Sequence, residues 1–426
     1  MLTKVPKGMK DVLPADSARW RAVEQAMRDA ALLAGYRELR TPVLEHTELF
    51  ARAAGETSDV VRKEMYSFID KGGRSVTLKP ESTAGTVRAF VESGLYARAL
   101  PLKAYYISAP HFRYESPQSG RLREHHQFGM ECFGAAQPST DAELIMLVVN
   151  LLAGFGLRHL SARVNSIGCP VCRPAYQQRL REYLQSKLDQ LCRNCRERIV
   201  SNPMRALDCK EEGCRAELAD APVMLDLLCE ACSRHFNSLK GYLDGEGLDF
   251  QIDTGIVRGL DYYTKTVFEI TTGVGAAALT VCGGGRYDGL VEELGGPSIP
   301  GVGFGMGIER VIMLLDRLGE GECLLRVDEE SPEVFVANLG EGAAAKAFHF
   351  VGVLRAKGLR ADMNHQVRSL KAQFKYADKL NAKIVAILGD DELERGVVRI
   401  RDMNTKEEWE TPLVEAPGLL NERLRP

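Results

Sequence analysis

The first clear periodicity along the chain is helical: Trp20, Val23, Met27, Ala30 and Ala34 recur at helical spacing between Ser17 and Ala34. Gly35 follows where a helix C-cap belongs, so the pattern predicts a helix over 17–34 and then a strand over Tyr36 to Glu45. Pro42 falls inside that strand and cannot donate to a ladder, which suits a sheet edge or a subunit boundary. Two extended runs, AYYISAPHFRYES and REHHQFGMECFG, come next between Lys103 and Gly134. The turn-forming SPQSG lies between them, and together they predict an antiparallel hairpin with a long tip. Alternation places His125, Gln127, Gly129 and Glu131 on one face, and His126, Phe128, Met130 and Cys132 on the other. The second set reads as core; the first is a polar row with a glycine gap, room for a small ligand on the sheet.

Leu144 to Leu157 is apolar and predicts a buried helix. From Cys169 to Cys232 the chain then carries eight of its 11 cysteines among many charges, an insertion with its own architecture. Strand and glycine patterns return in FQIDTGIVRGLDYYTKTVFEI and VCGGGRYDGL, and GVGFGMGIERVIMLLDRL reads as a glycine-rich strand running into a helix. A polar, acidic linker covers Gly319 to Glu333. Beyond it VFVANL, AAAKAFHFVGVLRAKG, LRADMN, RSLKAQFKYADKL and KIVAILG alternate strand and helix, a small α/β domain. The expected division is a catalytic core over 1–168 and 246–325, interrupted by a Cys-rich insertion over 169–245, and a C-terminal α/β domain over 332–426.

Composition changes this picture little. A chain of 426 residues with 45% hydrophobic and 27% charged residues is neither a disulfide-stapled miniature nor disordered nor collagenous. Lys plus Arg number 55 and Asp plus Glu 58, a net charge of −3, so any polyanion must meet local patches. MLTKVPKGMKDVLP has prolines and charges where a signal peptide has its apolar segment, and no apolar run approaches the roughly 20 residues of a membrane span. These features lead to an expected cytoplasmic location with no membrane association. The cysteines are then metal ligands, reactive thiols or core residues rather than disulfides. Cys169, Cys172, Cys192 and Cys195 read C-x2-C-x19-C-x2-C, and Cys209, Cys214, Cys229 and Cys232 read C-x4-C-x14-C-x2-C. Such spacing suits structural zinc. Core thiols and redox pairs are the competing readings, and the pairs can also group in interleaved fashion.

The polar row of the hairpin has charged company. Arg113 and Glu115 share a face of the opposing run, and Arg121 and Arg123 follow the tip. Two carboxylates and three arginines are costly when buried unless mutually paired, so a solvent-facing ion-pair lattice stands beside the ligand-site reading. Arg258 lies in VRGLDYY, a polar break before Tyr262 and Tyr263, and Arg310 begins the helix after GVGFGMG. Arginines in three distant segments suit a polyphosphate better than one carboxylate. The glycine run is neither a Walker loop nor a GxGxxG turn, and nothing resembles a Ser-His-Asp system.

These segments carry a family resemblance. GYRELRTPVLE, HFRYESPQSGRLREHHQFGMECFG and GVGFGMGIERVIMLL resemble the three motifs of class II aminoacyl-tRNA synthetases. LKPESTAG at Leu78 to Gly85 and VRGLDYYTKTVFE at Val257 to Glu269 are similar to signatures of the histidyl-tRNA synthetase family, and the resemblance covers essentially the whole chain. It implies an α+β catalytic core with an antiparallel sheet, a mostly helical insertion and a C-terminal anticodon-binding-like domain. It implies a homodimer that joins L-histidine, ATP with magnesium, and histidine tRNA.

For the residues, the resemblance implies that Arg113 holds the α-phosphate, Glu115 meets the adenine side and Arg310 binds the nucleotide. Glu81, Thr83 and Gln127 receive the amino group of histidine, Glu131 and Tyr263 grip its imidazole beside Tyr262, and Arg258 neutralises the reacting phosphate. Arg113 and Arg258 are also placed around histidine as the catalytic pair. Gln118, Arg121 and Arg123 at the hairpin tip are expected at the acceptor end of tRNA. The family usually has Arg at Lys79, Gly at Ser82 and an aromatic at Leu122, so no binding role is carried to Lys79 or Leu122.

Between Arg355 and Lys383 eight basic residues face two acidic ones. Lys371, Lys375 and Lys379 stand four apart, one stripe of a helix whose other face carries Leu370, Phe374, Ala377 and Leu380. With Arg368, this stripe fits tRNA phosphates in the light of the resemblance. A second implied reading is a non-catalytic regulatory subunit of histidine biosynthesis. Such relatives degrade the arginines and lack the C-terminal module, whereas Arg113, Arg258 and Arg310 are all present here.

Overall fold

A computed structural model of the chain describes every residue except 1–2, 56–57, 118–119, 121, 210, 274–278, 320, 328–329, 367 and 426, and omits the side chains at 108, 201 and 341. Its first helix is Pro14–Leu33, with proline in the first turn, where no N–H is needed, and Gly35 beyond its end at φ 79°. The strand expected over 36–45 is split. Arg37–Glu38 pairs parallel with the edge of an eight-stranded sheet, while Leu44–His46 joins a separate three-stranded one. Pro42 lies in the irregular link where the chain changes sheets, a place that asks no N–H of it.

The large sheet runs Arg37–Glu38, Leu102–Phe112, Glu124–Phe133, Gly301–Gly307, Leu279–Arg286, Thr264–Thr272, Leu160–Ser166, Phe250–Ile252. Its interior pairs are antiparallel and its two edge pairs parallel. The hairpin forms as expected, with a register shift between Tyr106 and Ala109. Phe128, Met130 and Cys132 point to the back and are buried with Phe304, Met306, Phe268 and Ile270, the expected apolar alternation. Helices Pro14–Leu33, Pro138–Gly154, Glu230–Gly245 and Ile308–Leu315 contribute to this core. Each buried phenylalanine there contributes about 2 kcal/mol, so the back face fixes the register and leaves the front free for chemistry.

Helices Arg173–Ser186, Arg193–Ser201 and Glu212–Leu218 build most of the cysteine-rich stretch. Its Tyr176, Leu180, Ile199 and Met204 share one apolar cluster with Phe50, Phe90, Phe133 and Tyr262 outside it. Contacts divide the chain into two units, Met1–Val327 and Asp328–Pro426.

In the second unit, five strands run in the order Ala361–Met363, Val334–Asn338, Ile384–Leu388, Val397–Asp402, Glu408–Pro412. Helix Glu341–Ala356 covers one face through Phe350, Val351 and Leu354, and Leu370–Lys379 covers the other through Ala377 and Phe374. The last two strands had no clear sequence signal, because only Val398 and Ile400 of VVRIRD turn inward. Among the described residues no helix is long and apolar enough to cross a membrane.

Candidate active site

Missing side chains open the front of the large sheet. Gly129, Gly305 and Gly283 are neighbours across three strands, and the next row is Glu131, Gly303 and Gly285. A Cβ on Gly303 would lie 1.7 Å from a Glu131 carboxylate oxygen, and one on Gly129 would lie 2.2 Å from Tyr106. The glycines are therefore the space in which these larger groups sit.

Glu131 is fully buried. The Thr83 hydroxyl donates to one carboxylate oxygen at 2.7 Å, and the Tyr287 hydroxyl donates to the other. Burial pushes its pKa from 4.5 up to about 8, and the two hydroxyls counter this only in part. Tyr262 packs against Tyr263 at 4.7 Å and Tyr287 at 5.7 Å between ring centres, and Tyr106 is buried close by. The result is a buried cluster of one carboxyl and several phenols, groups able to meet both sides of a small polar ring.

Thr83 opens helix Thr83–Glu92, and Glu81 caps it by accepting the N–H groups of Thr83 at 2.7 Å and Ala84 at 2.9 Å. Burial raises the Glu81 pKa against the pull of those N–H groups. Ser82 is hydrogen-bonded to Nε2 of His111 at 2.7 Å, and burial holds that imidazole neutral, well below its usual pKa. Lys79 is buried, which lowers its pKa, and it donates to Thr41 Oγ1 at 3.2 Å. A lysine facing Thr41 is a tie between strand segments.

The arginines surround this pocket. Arg258 donates to Glu269 at 2.6 Å, and a Cβ on Gly283 would meet its guanidinium at 2.4 Å. Thr280 donates to the same Glu269 carboxylate at 3.1 Å, and Arg310 donates to the Thr280 carbonyl. One short network thus joins Arg258 and Arg310. Arg113 donates from Nε to the Pro80 carbonyl at 2.9 Å and lies near enough to Glu81 to act on its charge. Gln127 faces Gly305, whose Cβ position is 3.5 Å from the amide oxygen.

At the hairpin tip Gln118 and Arg121 lie outside the described residues. Arg123 stacks 4.0 Å from the Tyr114 ring centre and donates to the Glu115 carbonyl at 3.0 Å. In the second unit Lys371, Lys375 and Lys379 are exposed along one helix, and Arg368 lies 5.1 Å from the Tyr376 ring.

The eight thiols form two groups of four, each within 4.8 Å: Cys169, Cys172, Cys229, Cys232 and Cys192, Cys195, Cys209, Cys214. The direct chain-order grouping is thus replaced by a nested one, in which the first pair joins the last and the two middle pairs join each other, rather than by an interleaved one. The first group joins the two ends of the insertion's sequence, and the second joins two segments within it. Sulfur separations of 3.7 Å for Cys169 and Cys172, 3.8 Å for Cys169 and Cys229, and 3.9 Å for Cys172 and Cys232 equal the edge of a tetrahedron with metal–sulfur bonds of about 2.3 Å. Burial works against ionisation of Cys169, yet N–H groups of Cys172 and Val171 bring its pKa down to about 7. Thiols so placed fit a soft tetrahedral cation.

Sequence reasoning passed over Tyr106, Tyr287 and Glu269. Tyr287 stands two residues after the glycine run in VCGGGRY and Glu269 closes VRGLDYYTKTVFE, so both lay in singled-out segments. Tyr106 offered no signal beyond a strand pattern; the register with Gly129 brings it in.

Residues 8–311 match the histidyl-tRNA synthetase family, and residues 333–423 match an anticodon binding domain. The structure of apo histidyl-tRNA synthetase from S. aureus aligns with a TM-score of 0.83 at 36% identity, over 99% of this chain and 100% of that one. A chain described as ATP phosphoribosyltransferase regulatory subunit/histidyl-tRNA synthetase, from Bacillus halodurans, aligns with a TM-score of 0.62 at 21% identity, over 91% of this chain and 98% of that one, a likeness of fold alone. Histidine–tRNA ligase of Caldanaerobacter subterraneus is 53% identical over 96% of this chain and 97% of its own length. That of Caldicellulosiruptor bescii is 49% identical over 100% of both. A catalytic fold of this kind followed by an anticodon-binding module defines an aminoacyl-tRNA ligase of class II. The chain belongs to the histidyl-tRNA synthetase family.

Proposed function

We propose that the pocket around Glu131 binds the imidazole of L-histidine and that the surrounding arginines bring ATP to its carboxylate. The observation that carries this reading is a fully buried carboxyl that accepts from Thr83 and Tyr287, with Tyr263 and Tyr262 in the same cluster and Arg258 over Gly283 in the adjoining row. A carboxyl and a phenol engage both ring nitrogens, and a site with polar groups left unpaired rejects ligands that lack them. Glu81, Thr83 and Gln127 receive the amino group. Arg113 holds the α-phosphate, Glu115 meets the adenine side and Arg310 clamps the nucleotide, with magnesium accompanying ATP.

A histidine carboxylate oxygen attacks the α-phosphorus, a new P–O bond forms, and the bond to pyrophosphate breaks. Arg258, supported by Glu269, neutralises charge that develops on the phosphoryl oxygens. Catalysis here is positioning and electrostatics with no protein nucleophile. A hydroxyl of the terminal tRNA ribose then attacks the acyl carbon and AMP leaves. Arg123, with Gln118 and Arg121, serves the acceptor end, and Arg368, Lys371 and Lys375 meet phosphates of the anticodon arm. The working form is a cytoplasmic homodimer.

The insertion holds structural zinc in both thiol groups. Its role is to tie helices together, and no step of the reaction passes through it.

Histidine-dependent exchange of pyrophosphate into ATP tests the reading. The wild type should exchange, and Arg258→Ala should lose about 100-fold or more, as for other groups that stabilise transition-state charge. Histidine binding with no exchange in the wild type would instead mark a regulatory protein.

A further inference from the structure

The segment between strands Phe250–Ile252 and Thr264–Thr272 carries Arg258, Tyr262 and Tyr263, yet it has no regular structure of its own. Arg258 sits at φ 53°, a conformation that costs a non-glycine residue and persists only when neighbours enforce it. A cavity of about 180 Å³ lies against the segment, and beside apolar Ile167, Met204, Val257 and Leu260 its lining includes Arg205 and Asp261.

The insertion supplies a polar hold. Arg205 is 7% exposed. It donates from Nη2 to the Asp261 carboxylate at 2.9 Å and to the Gly259 carbonyl at 3.0 Å, and from Nε to the same carboxylate at 3.3 Å. Asn202 adds a bond to that carboxylate at 3.0 Å, and Arg173 donates to the Tyr263 carbonyl at 2.6 Å. A planar guanidinium that reaches a side chain and a backbone carbonyl at once fixes direction as well as distance. Arg205 rides on the turn Pro203–Asp208, between Cys195 and Cys209 of the second thiol group.

We propose that Arg205, acting through Asp261, is a positioning residue for histidine activation. By holding the segment it sets Arg258 over Gly283 and turns Tyr262 and Tyr263 toward Glu131. The insertion is then a brace for the amino-acid pocket. This rests on the histidine-activation reading above.

The test uses the full-length protein with Arg205→Gln, Asp261→Asn and the double variant. Pyrophosphate exchange gives KM for histidine and kcat, and amide hydrogen exchange reads residues 257–263. Each single variant should raise KM for histidine about tenfold or more while KM for ATP stays within about twofold, the pattern of a misplaced contact. Amides of 257–263 should lose protection, and the double variant should be no worse than the worse single one. Unchanged KM for histidine, or additive effects of the two substitutions, would overturn the proposal. Should Arg205→Gln fail to fold, Asp261→Asn alone decides by the same measures. If the wild type shows no exchange, the activation reading fails separately, and protection of 257–263 then decides the brace: equal protection in wild type and variant rejects it.

Discussion

Glu131 takes hydrogen bonds on both carboxylate oxygens from Thr83 and Tyr287, whereas the eight thiols of the insertion face chiefly one another in two sets of four. Both regions are buried and polar, but they are completed differently. The glycines leave room on the sheet for Glu131 and Tyr106, and Thr83 and Tyr287 supply donors to the carboxylate from two separate segments, so the geometry is built from the protein's own groups. The insertion shares an apolar cluster with the rest of its unit through Tyr176, Leu180, Leu184 and Ile199, and its two thiol sets are spaced so that each could hold a metal ion. Preorganisation by the protein's own groups serves recognition; a cluster completed from outside serves cohesion.

The sharpest test of this contrast removes the ion. Structural zinc in small modules contributes on the order of 10 kcal/mol, so chelation, or Cys195→Ser, should strip amide protection from Arg193–Ser201 and lower Tm. The strands of the large sheet should keep theirs. Equal protection with and without chelator, and protein free of zinc by elemental analysis, would break the comparison from the insertion side.

Next in size is the titration of Glu131. Its folded pKa, about 8, lies above the ordinary 4.5, so the folded state binds more protons across that window. Stability from this group is fully present below about pH 4.5 and is lost as pH rises toward 8, by on the order of 4 kcal/mol. Glu131→Gln keeps the shape and removes the titration. Urea unfolding of both proteins at pH 5 and pH 8 should show the variant gaining on the wild type as pH rises; parallel profiles would mean the carboxyl is not held neutral.

A third prediction concerns the space itself. Gly303→Ala places a methyl group against the Glu131 carboxylate. It should cost about 1–3 kcal/mol of stability, read by denaturation, and weaken histidine binding in calorimetry more than ATP binding. Equal affinity for histidine would show that the glycine row does not shape the pocket. The smallest effect belongs to the exposed basic stripe. Lys371→Ala with Lys375→Ala should weaken tRNA binding at low salt and flatten the slope of log affinity against log salt by about 1 to 2. Pyrophosphate exchange should be untouched.

Much of the fold was legible because alternation and helical spacing are local. Phe128, Met130 and Cys132 could be assigned to the core from the hairpin pattern alone, and Lys371, Lys375 and Lys379 to one helix face, whereas His126, expected in the same core set, is half-buried and hydrogen-bonded to Glu309. The strand expected over 36–45 is not continuous, because an extended segment carries no record of which sheet it joins. Pro42 marked the place without revealing the change of sheet.

Residue types and their order in the chain determined the class of protein, the charged groups available to a nucleotide, and the presence of thiols in metal-binding numbers. Tertiary structure alone decided the nested thiol sets, the pairing of Glu131 with Tyr287 and with Thr83, and the grip of Arg205 on Asp261. The physical reason is distance along the chain. Local spacing fixes which residues share a face, but partners tens to more than a hundred residues apart meet only once the sheet has set its register and the insertion has folded back against it.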